Sequence, residues 1–133
     1  MGKSYRDLFI WSESVEIAAD IVMLTDTFPK AQRLALIDQM QRAAISVPSN
    51  IAEGKGRISP REFRRFLAMA RGSLFELHTQ IEIARRINLL PAGSYEHLIT
   101  RMRQVGSGIN NLMKKLNSSI AKQLNSCSKR HAS

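Results

Sequence analysis

Two runs of apolar residues repeat at the three-four spacing of a heptad, and they restrict this chain to helical folds. Such spacing places the apolar side chains on one face of a helix and favours left-handed packing against a second helix. No run alternates apolar and polar residues as a strand would. The runs are Phe63, Leu67, Ala70, Leu74, Leu77, Ile81 and Ala84, and Tyr95, Leu98, Met102, Val105, Ile109, Leu112 and Leu116.

Proline, glycine and serine divide the chain into helical segments. Pro29 ends the first segment and Gly54 the second. Ser59-Pro60-Arg61-Glu62 is a capping box that opens the third segment, and Pro91 closes that segment. The Ser59 hydroxyl is expected to accept a hydrogen bond from the Glu62 amide, and Glu62 to reach back. The predicted helical segments cover residues 8–28, 31–53, 59–90 and 92–117.

Pro48 interrupts the second segment. An interior proline removes one backbone hydrogen bond and clashes with the carbonyl four residues earlier, so we expect a kink near residues 44–48. The alternative is that the helix stops there. We favour the kink, because Ile51 stays on the apolar face and Gly54-Lys55-Gly56 is a better terminator.

The predicted fold is all-α: an antiparallel up-down four-helix bundle with a second helix kinked at Pro48. The bundle is assigned to residues 1–117. Residues 118–133, which are rich in Ser, Asn, Lys and Arg, are predicted to form a frayed or disordered tail. Gly106 and Gly108 lie within the fourth segment. Each either allows a close helix approach or is simply tolerated, at about 1 kcal/mol relative to alanine.

The composition is that of one intracellular domain. The chain has 133 residues and a single cysteine, Cys127, which cannot form an internal disulfide. No apolar signal-peptide core follows the N-terminal charges, and no apolar stretch approaches the length of about 18 residues that spans a bilayer. We therefore predict a cytoplasmic protein with no membrane contact.

Positive charge is concentrated in the later part of the chain. The net charge is +9, residues 1–38 sum to −2, residues 39–133 sum to +11, and no acidic residue follows Glu96. A positive field attracts polyanions, which favours RNA or DNA phosphates as partners; the alternative is a solvated face that maintains solubility. The candidate nucleic-acid-binding residues are Arg57, Arg61, Arg64, Arg65, Arg71, Lys114 and Lys115. No aromatic residue interleaves the arginines in a stacking pattern, which favours backbone contact over base stacking.

The residues form no recognisable catalytic, cofactor or metal motif. Glu76 and His78 are two residues apart and do not share a helix face, so they do not form a ferritin-like metal pair. Gly54-Lys55-Gly56 lacks the rest of a P-loop and follows a helix. No serine or cysteine has histidine and acid partners at motif spacing. We expect no enzyme activity, no cofactor and no metal.

A polar stripe follows the second segment at helical spacing, well away from its apolar face. Glu76 and Gln80 form a similar pair on the third segment. We interpret the stripe as a hydrogen-bonded contact between helices or between subunits, with plain solvent exposure as the alternative. The stripe, with its counterpart on the third segment, comprises Gln39, Arg42, Ser46, Asn50, Glu53 and Glu76.

The run from Arg42 to Gly54, RAAISVPSNIAEG, resembles the signature of the four helix bundle protein family. That family is also described from proteins encoded in intervening sequences of bacterial large-subunit ribosomal RNA genes. Residues 6–11 are similar to its opening motif, and residues 63–67 and 72–77 to its third helix. The resemblance covers about residues 5–116. It implies an antiparallel four-helix bundle that assembles into a ring-like homo-oligomer, a pentamer, without catalytic residues.

Charge and resemblance lead to two hypotheses. The first is a non-enzymatic, oligomeric protein that binds RNA or DNA through its basic face. The second is a structural or protein-interaction module that binds a protein partner and no nucleic acid. They differ in whether the arginines of the third segment are needed for partner binding.

Overall fold

The computed structural model describes residues 4–132, except for the side chains of Asp7, His131 and Ala132. A short 3-10 turn, Tyr5–Asp7, precedes α1 (Phe9–Thr25), α2 (Lys30–Lys55), α3 (Pro60–Arg86) and α4 (Ser94–Ala132). No strand occurs in this part of the chain, so the all-α, four-helix prediction is confirmed. Residues 1–3 and Ser133, which the predicted bundle and tail include, lie outside the described residues.

Each helix packs against two neighbours around one apolar core. The helices α1 and α3 each contact both α2 and α4, and between residues 4 and 132 no Cα atoms of diagonally opposite helices lie within 8 Å of each other. The hydrogen bonds between α3 and α4 join residues in opposite order along these two helices, and the antiparallel arrangement of the whole bundle stays a prediction. All four helices contribute fully buried side chains, among them Ile21, Met40, Ile51, Leu67, Leu77 and Ile109. Burial of each such side chain contributes about 1.5–3 kcal/mol.

Helix α2 continues through Pro48 to Lys55, so the alternative of a helix that stops at the proline is wrong. Pro48 is itself buried, and Ile51, one turn later, is fully buried. Core packing on both sides of the proline offsets the lost hydrogen bond. The kink at Pro48 stays a prediction.

Interactions of nearby residues determine where α3 begins and ends. The Ser59 hydroxyl accepts hydrogen bonds from the amides of Arg61 and Glu62, at 3.1 and 3.3 Å. The Glu62 carboxylate accepts from Arg65 instead of reaching back to Ser59. The helix ends at Arg86, before the predicted stop at Pro91, because Asn88 adopts a left-handed conformation with φ of 61°. Asparagine tolerates this conformation better than most residues and so acts as a C-cap.

Helix α4 extends well beyond its predicted end near residue 117 and reaches Ala132. The sequence from 118 to 132 contains neither glycine nor proline, so nothing in it breaks the helix. Its described residues are exposed except for Ile120, which is partly buried. Among the described residues, none after Leu116 belongs to the core or packs against it. The boundary of the bundle at residue 117 stays a prediction.

Two glycines lie where helices approach closely. A Cβ added at Gly54 in α2 would lie 2.6 Å from the Cβ of Phe66 in α3, and one at Gly108 would clash with Ile10 of α1. At Gly106 the nearest atom, Cδ2 of Leu74, would be 3.5 Å away, an ordinary contact. The two alternatives for glycine in α4 therefore apply to different residues: close approach at Gly108 and tolerance at Gly106.

Candidate nucleic-acid interface

Two facing stripes of side chains line the contact between α3 and α4, and we call them the α3–α4 seam. Steps of three or four residues keep each stripe on one side of its helix. Arg64 Nε donates to Asn117 Oδ1 at 2.6 Å, and Arg71 Nη1 donates to Asn110 Oδ1 at 3.0 Å. The seam comprises Arg64, Ala68, Arg71, Phe75 and His78 of α3, and Arg103, Ser107, Asn110, Lys114 and Asn117 of α4.

The positive charge of the seam is not compensated by carboxylates. The partners of Arg64 and Arg71 are neutral amides, which fix the guanidinium groups without cancelling their charge. Lys114 is exposed on α4, one turn from each of these asparagines. Neither stripe contains an aspartate or glutamate. Arg103 lies further along the same side of α4. With Arg64, Arg71 and Lys114 it brings the number of cations in the seam to four.

Arg57 and Arg65 lie apart from the seam, near the turn between α2 and α3. Arg57 Nη2 is 2.8 Å from a Glu53 oxygen, and Arg65 Nη2 is 3.0 Å from a Glu62 oxygen. The hydrogen bond and charge of Arg65 lower the pKa of Glu62. Both guanidinium groups also lie over the Phe66 ring, at 5.1 and 4.7 Å from its centroid. These two predicted phosphate contacts are thus engaged with carboxylates of their own chain.

The remaining predicted cations, Arg61 and Lys115, lie outside the two stripes that form the seam. Arg61 is exposed at the start of α3, one turn before Arg64. Lys115 lies toward α1, where it lines a shallow groove with Phe9 and Leu112. The structure therefore gathers Arg64, Arg71 and Lys114 in the seam, adds Arg61 at its end, and leaves out Arg57, Arg65 and Lys115.

A groove of about 340 Å³ opens in the seam. Its apolar floor includes Leu74, Ile99 and Met102, which are buried. Phe75, whose side chain is 63% exposed, stands at its rim. Phe75 follows Arg71 by one turn on the same side of α3, just beyond the run of arginines in which no stacking aromatic was expected. The spacing of residues 64, 71, 75 and 78 places Phe75 on the same side of α3 as Arg64 and Arg71. The direction of α4 was needed to show that this side lines a groove.

Glu82 lies on α3 one turn beyond His78, where the two line a second groove. Its carboxylate accepts hydrogen bonds from Arg85 at 2.6 Å and Arg86 at 2.9 Å. Hydrogen bonds from Arg85, Arg86 and Tyr95 lower the pKa of Glu82 to about 2. Its charge is therefore fully matched by neighbouring cations and opposes an anionic ligand only weakly.

The polar stripe of α2 divides into a network between helices and an exposed part. Ser46 Oγ lies 2.9 Å from Ser73 Oγ of α3, and Asn50 Nδ2 donates to the Ser46 carbonyl and hydroxyl oxygens, both at 2.9 Å. Gln39, Arg42, Glu53 and Glu76 are exposed. Arg42 pairs with Asp38 at 3.0 Å, and Gln80 Nε2 donates to Glu76 at 3.2 Å.

Arg101 forms an ion network that the sequence analysis missed. Its Nε donates to Glu13 at 2.7 Å, and its Nη1 donates to Asp20, so the network joins α4 to α1. The Arg101 side chain is largely buried, and the two carboxylates offset its charge. Partners 81 and 88 residues away leave no local pattern in the sequence. Arg101 therefore contributes to packing rather than to the basic surface.

Neither a metal site nor a membrane span is found in the described part of the chain. No group of three or more His, Cys, Asp or Glu residues there is placed to hold a metal ion. No described helix is both long enough and apolar enough to cross a bilayer. The site that the geometry does offer is the α3–α4 seam.

Fold and seam together define a class of protein: a basic, all-α four-helix bundle with a cationic contact between its last two helices. A model of the family described as 23S rRNA-intervening sequence protein matches residues 6–111. The chain belongs to this family, and the resemblance noted from residues 42–54 is confirmed. A comparison with curated proteins found no match. The family match ends before Lys114, Asn117 and the long extension of α4.

Proposed function

We propose that this protein binds nucleic acid without catalysing a reaction, and that the α3–α4 seam is its binding surface. The observation that carries the proposal is the pairing of Arg64 and Arg71 with asparagines. Each guanidinium has several donors in a fixed plane, and a single bond to an amide oxygen leaves the others available for phosphate. A merely solvated face gives no reason to orient two arginines in this way.

The composition of the seam supports phosphate contact rather than another use of charge. Arg64, Arg71, Arg103 and Lys114 lie along the α3–α4 seam with no acidic residue between them in either stripe. Electrostatic contact of this kind supplies affinity and little sequence discrimination. The family description refers to an intervening sequence of 23S rRNA, which makes RNA the first ligand to test. A cytoplasmic location agrees with such a partner and is part of the proposal.

Affinity for RNA is expected to fall steeply with salt. If the four seam cations and Arg61 each displace one counterion, the slope of log K against log salt is about −3.5 for a single strand. Fluorescence anisotropy with a labelled RNA strand, titrated at about 50 and 200 mM salt, measures this slope. Absence of binding to RNA and to DNA at the lower salt would falsify the proposal.

We further propose that the protein is a homo-oligomer, a pentamer, whose subunit contact includes the exposed part of the polar stripe. Met69 and Ile83 of α3, and Ile87 directly after it, are large apolar residues that are exposed on the same face as Glu76, away from the seam. Exposed apolar groups beside polar ones are typical of subunit interfaces. A surface of this kind also suits the alternative function, a module that binds a protein partner.

Light scattering tests the oligomer directly. A pentamer of 15.0 kDa chains is expected to give about five times the monomer mass. The substitution Ile83→Asp buries a charge in the proposed interface and is expected to lower that mass. Phe9→Asp, at an exposed apolar residue of α1, is the matched control and should leave it unchanged. A monomeric wild-type protein at micromolar concentration would contradict this part of the proposal.

A further inference from the structure

Phe75 is exposed at the rim of the groove within the cationic α3–α4 seam, and this combination identifies the kind of nucleic acid. We propose that the ligand is single-stranded and that one unpaired base stacks on Phe75 in the α3–α4 seam. The inference rests on the proposed function, and it goes further by naming the form of the strand. It also assigns a role to Phe75, which lies outside every predicted site.

Phe75 is exposed to solvent at the rim of the groove. The residue is 63% exposed although α3 buries Leu74 and Leu77 on either side of it in sequence. Every nucleobase has a flat face that stacks on an aromatic ring without regard to sequence. A solvent-exposed phenylalanine flanked by cations is the arrangement found in proteins that bind single strands.

The groove is small and combines an apolar floor with polar residues at its rim. Its volume of about 340 Å³ lies at the lower end of the range for small-molecule sites, about 300–1,000 Å³. The buried floor gives apolar contact below a stacked ring. Ser107, Asn110 and His78 line the rim and offer donors and acceptors to the edge of a base. The groove therefore suits one base and is too small for a base pair with its flanking strands.

Cations lie on both helices around Phe75. Arg71 precedes it by one turn, about 6 Å along α3. Arg103 lines the other wall of the same groove. The phosphates on the two sides of a base stacked on Phe75 can therefore each approach a cation. Toward the start of α3 the strand would continue past Lys114 to Arg64, about 16 Å from Phe75 along the helix.

A duplex cannot use this site in the same way. Its bases are stacked on one another and their faces are inaccessible unless a nucleotide is flipped out, which costs unstacking and unpairing energy. A duplex could still meet the seam cations through its phosphates. The contribution of Phe75 to affinity should therefore differ between single strands and duplexes, and not between base sequences.

Phe75→Ala is the variant that tests the inference. Binding to a single-stranded RNA oligonucleotide is expected to weaken roughly 5- to 150-fold, the measured range for loss of one aromatic stacking contact. Affinity for the same sequence as a duplex, and for a strand of equal length and charge whose central nucleotides are abasic, should change by less than about twofold. Met23→Ala, at an exposed apolar residue of α1 outside both proposed surfaces, is the control and should leave all three affinities unchanged.

The outcomes separate the stacking site from the proposed function. If Phe75→Ala leaves single-strand affinity unchanged, or weakens the intact and abasic strands equally, the stacking site is wrong while nucleic-acid binding stands. If wild-type protein binds none of the three ligands at low salt, nucleic-acid binding itself is wrong. Because Phe75 is exposed, a helical content equal to that of the wild type, measured by circular dichroism, is expected for the variant.

Discussion

The double substitution Arg64→Gln, Arg71→Gln is expected to weaken RNA binding roughly tenfold to a hundredfold at low salt, because two phosphate contacts are lost. Glutamine keeps a polar side chain next to Asn117 and Asn110, so the packing of α3 on α4 should persist. Filter binding or anisotropy at about 50 mM salt measures the change.

A second double variant, Arg57→Gln, Arg65→Gln, is the matched control for charge. It removes two positive charges near the start of α3 but outside the seam, where the arginines already pair with Glu53 and Glu62. Its affinity is expected to stay within about threefold of the wild type. Equal losses in the two variants would show that net charge, rather than the seam, determines binding.

Gly54→Ala is expected to have the largest effect on stability of the single substitutions considered. The added methyl would lie 2.6 Å from the Cβ of Phe66 and 3.1 Å from the Phe63 ring, where neighbouring helix backbones cannot easily move apart. Overpacking of this kind costs about 1–3 kcal/mol. Thermal unfolding followed by circular dichroism should show a Tm lower by several degrees.

Gly72→Ala provides the control for glycine in a helix. A Cβ at Gly72 meets nothing within 4 Å. Alanine there only improves helix propensity, and the free energy of unfolding should rise by about 0.5–1 kcal/mol. A loss of stability at Gly72, or none at Gly54, would contradict the close approach of α2 and α3.

The fold was predictable because its signals are local. Heptad spacing defined the buried faces of α3 and α4, and Ser59-Pro60 marked a helix start that the structure reproduces within one turn. The errors occurred where no local signal exists or where a competing one was preferred. Asn88 ended α3 before Pro91 could, and α4 continued past residue 117 because polar residues alone do not stop a helix.

The candidate site was only partly predictable, because it depends on which residues of two distant segments meet. The sequence identifies Arg64, Arg71 and Lys114 as basic and outward-facing. It does not indicate that asparagines 39 and 53 residues away receive the two arginines, while Arg57 and Arg65 find carboxylates nearby. Phe75 likewise gains its proposed role only from the position of α4.

The salt dependence of RNA binding, compared between the wild type and Arg64→Gln, Arg71→Gln, tests the seam most directly. If the two arginines contact phosphates, the slope of log K against log salt should become shallower by about 1.4, or about 0.7 for each lost contact on a single strand. The Arg57→Gln, Arg65→Gln variant should retain the wild-type slope. Parallel lines for the wild type and the seam variant would contradict binding through the α3–α4 seam.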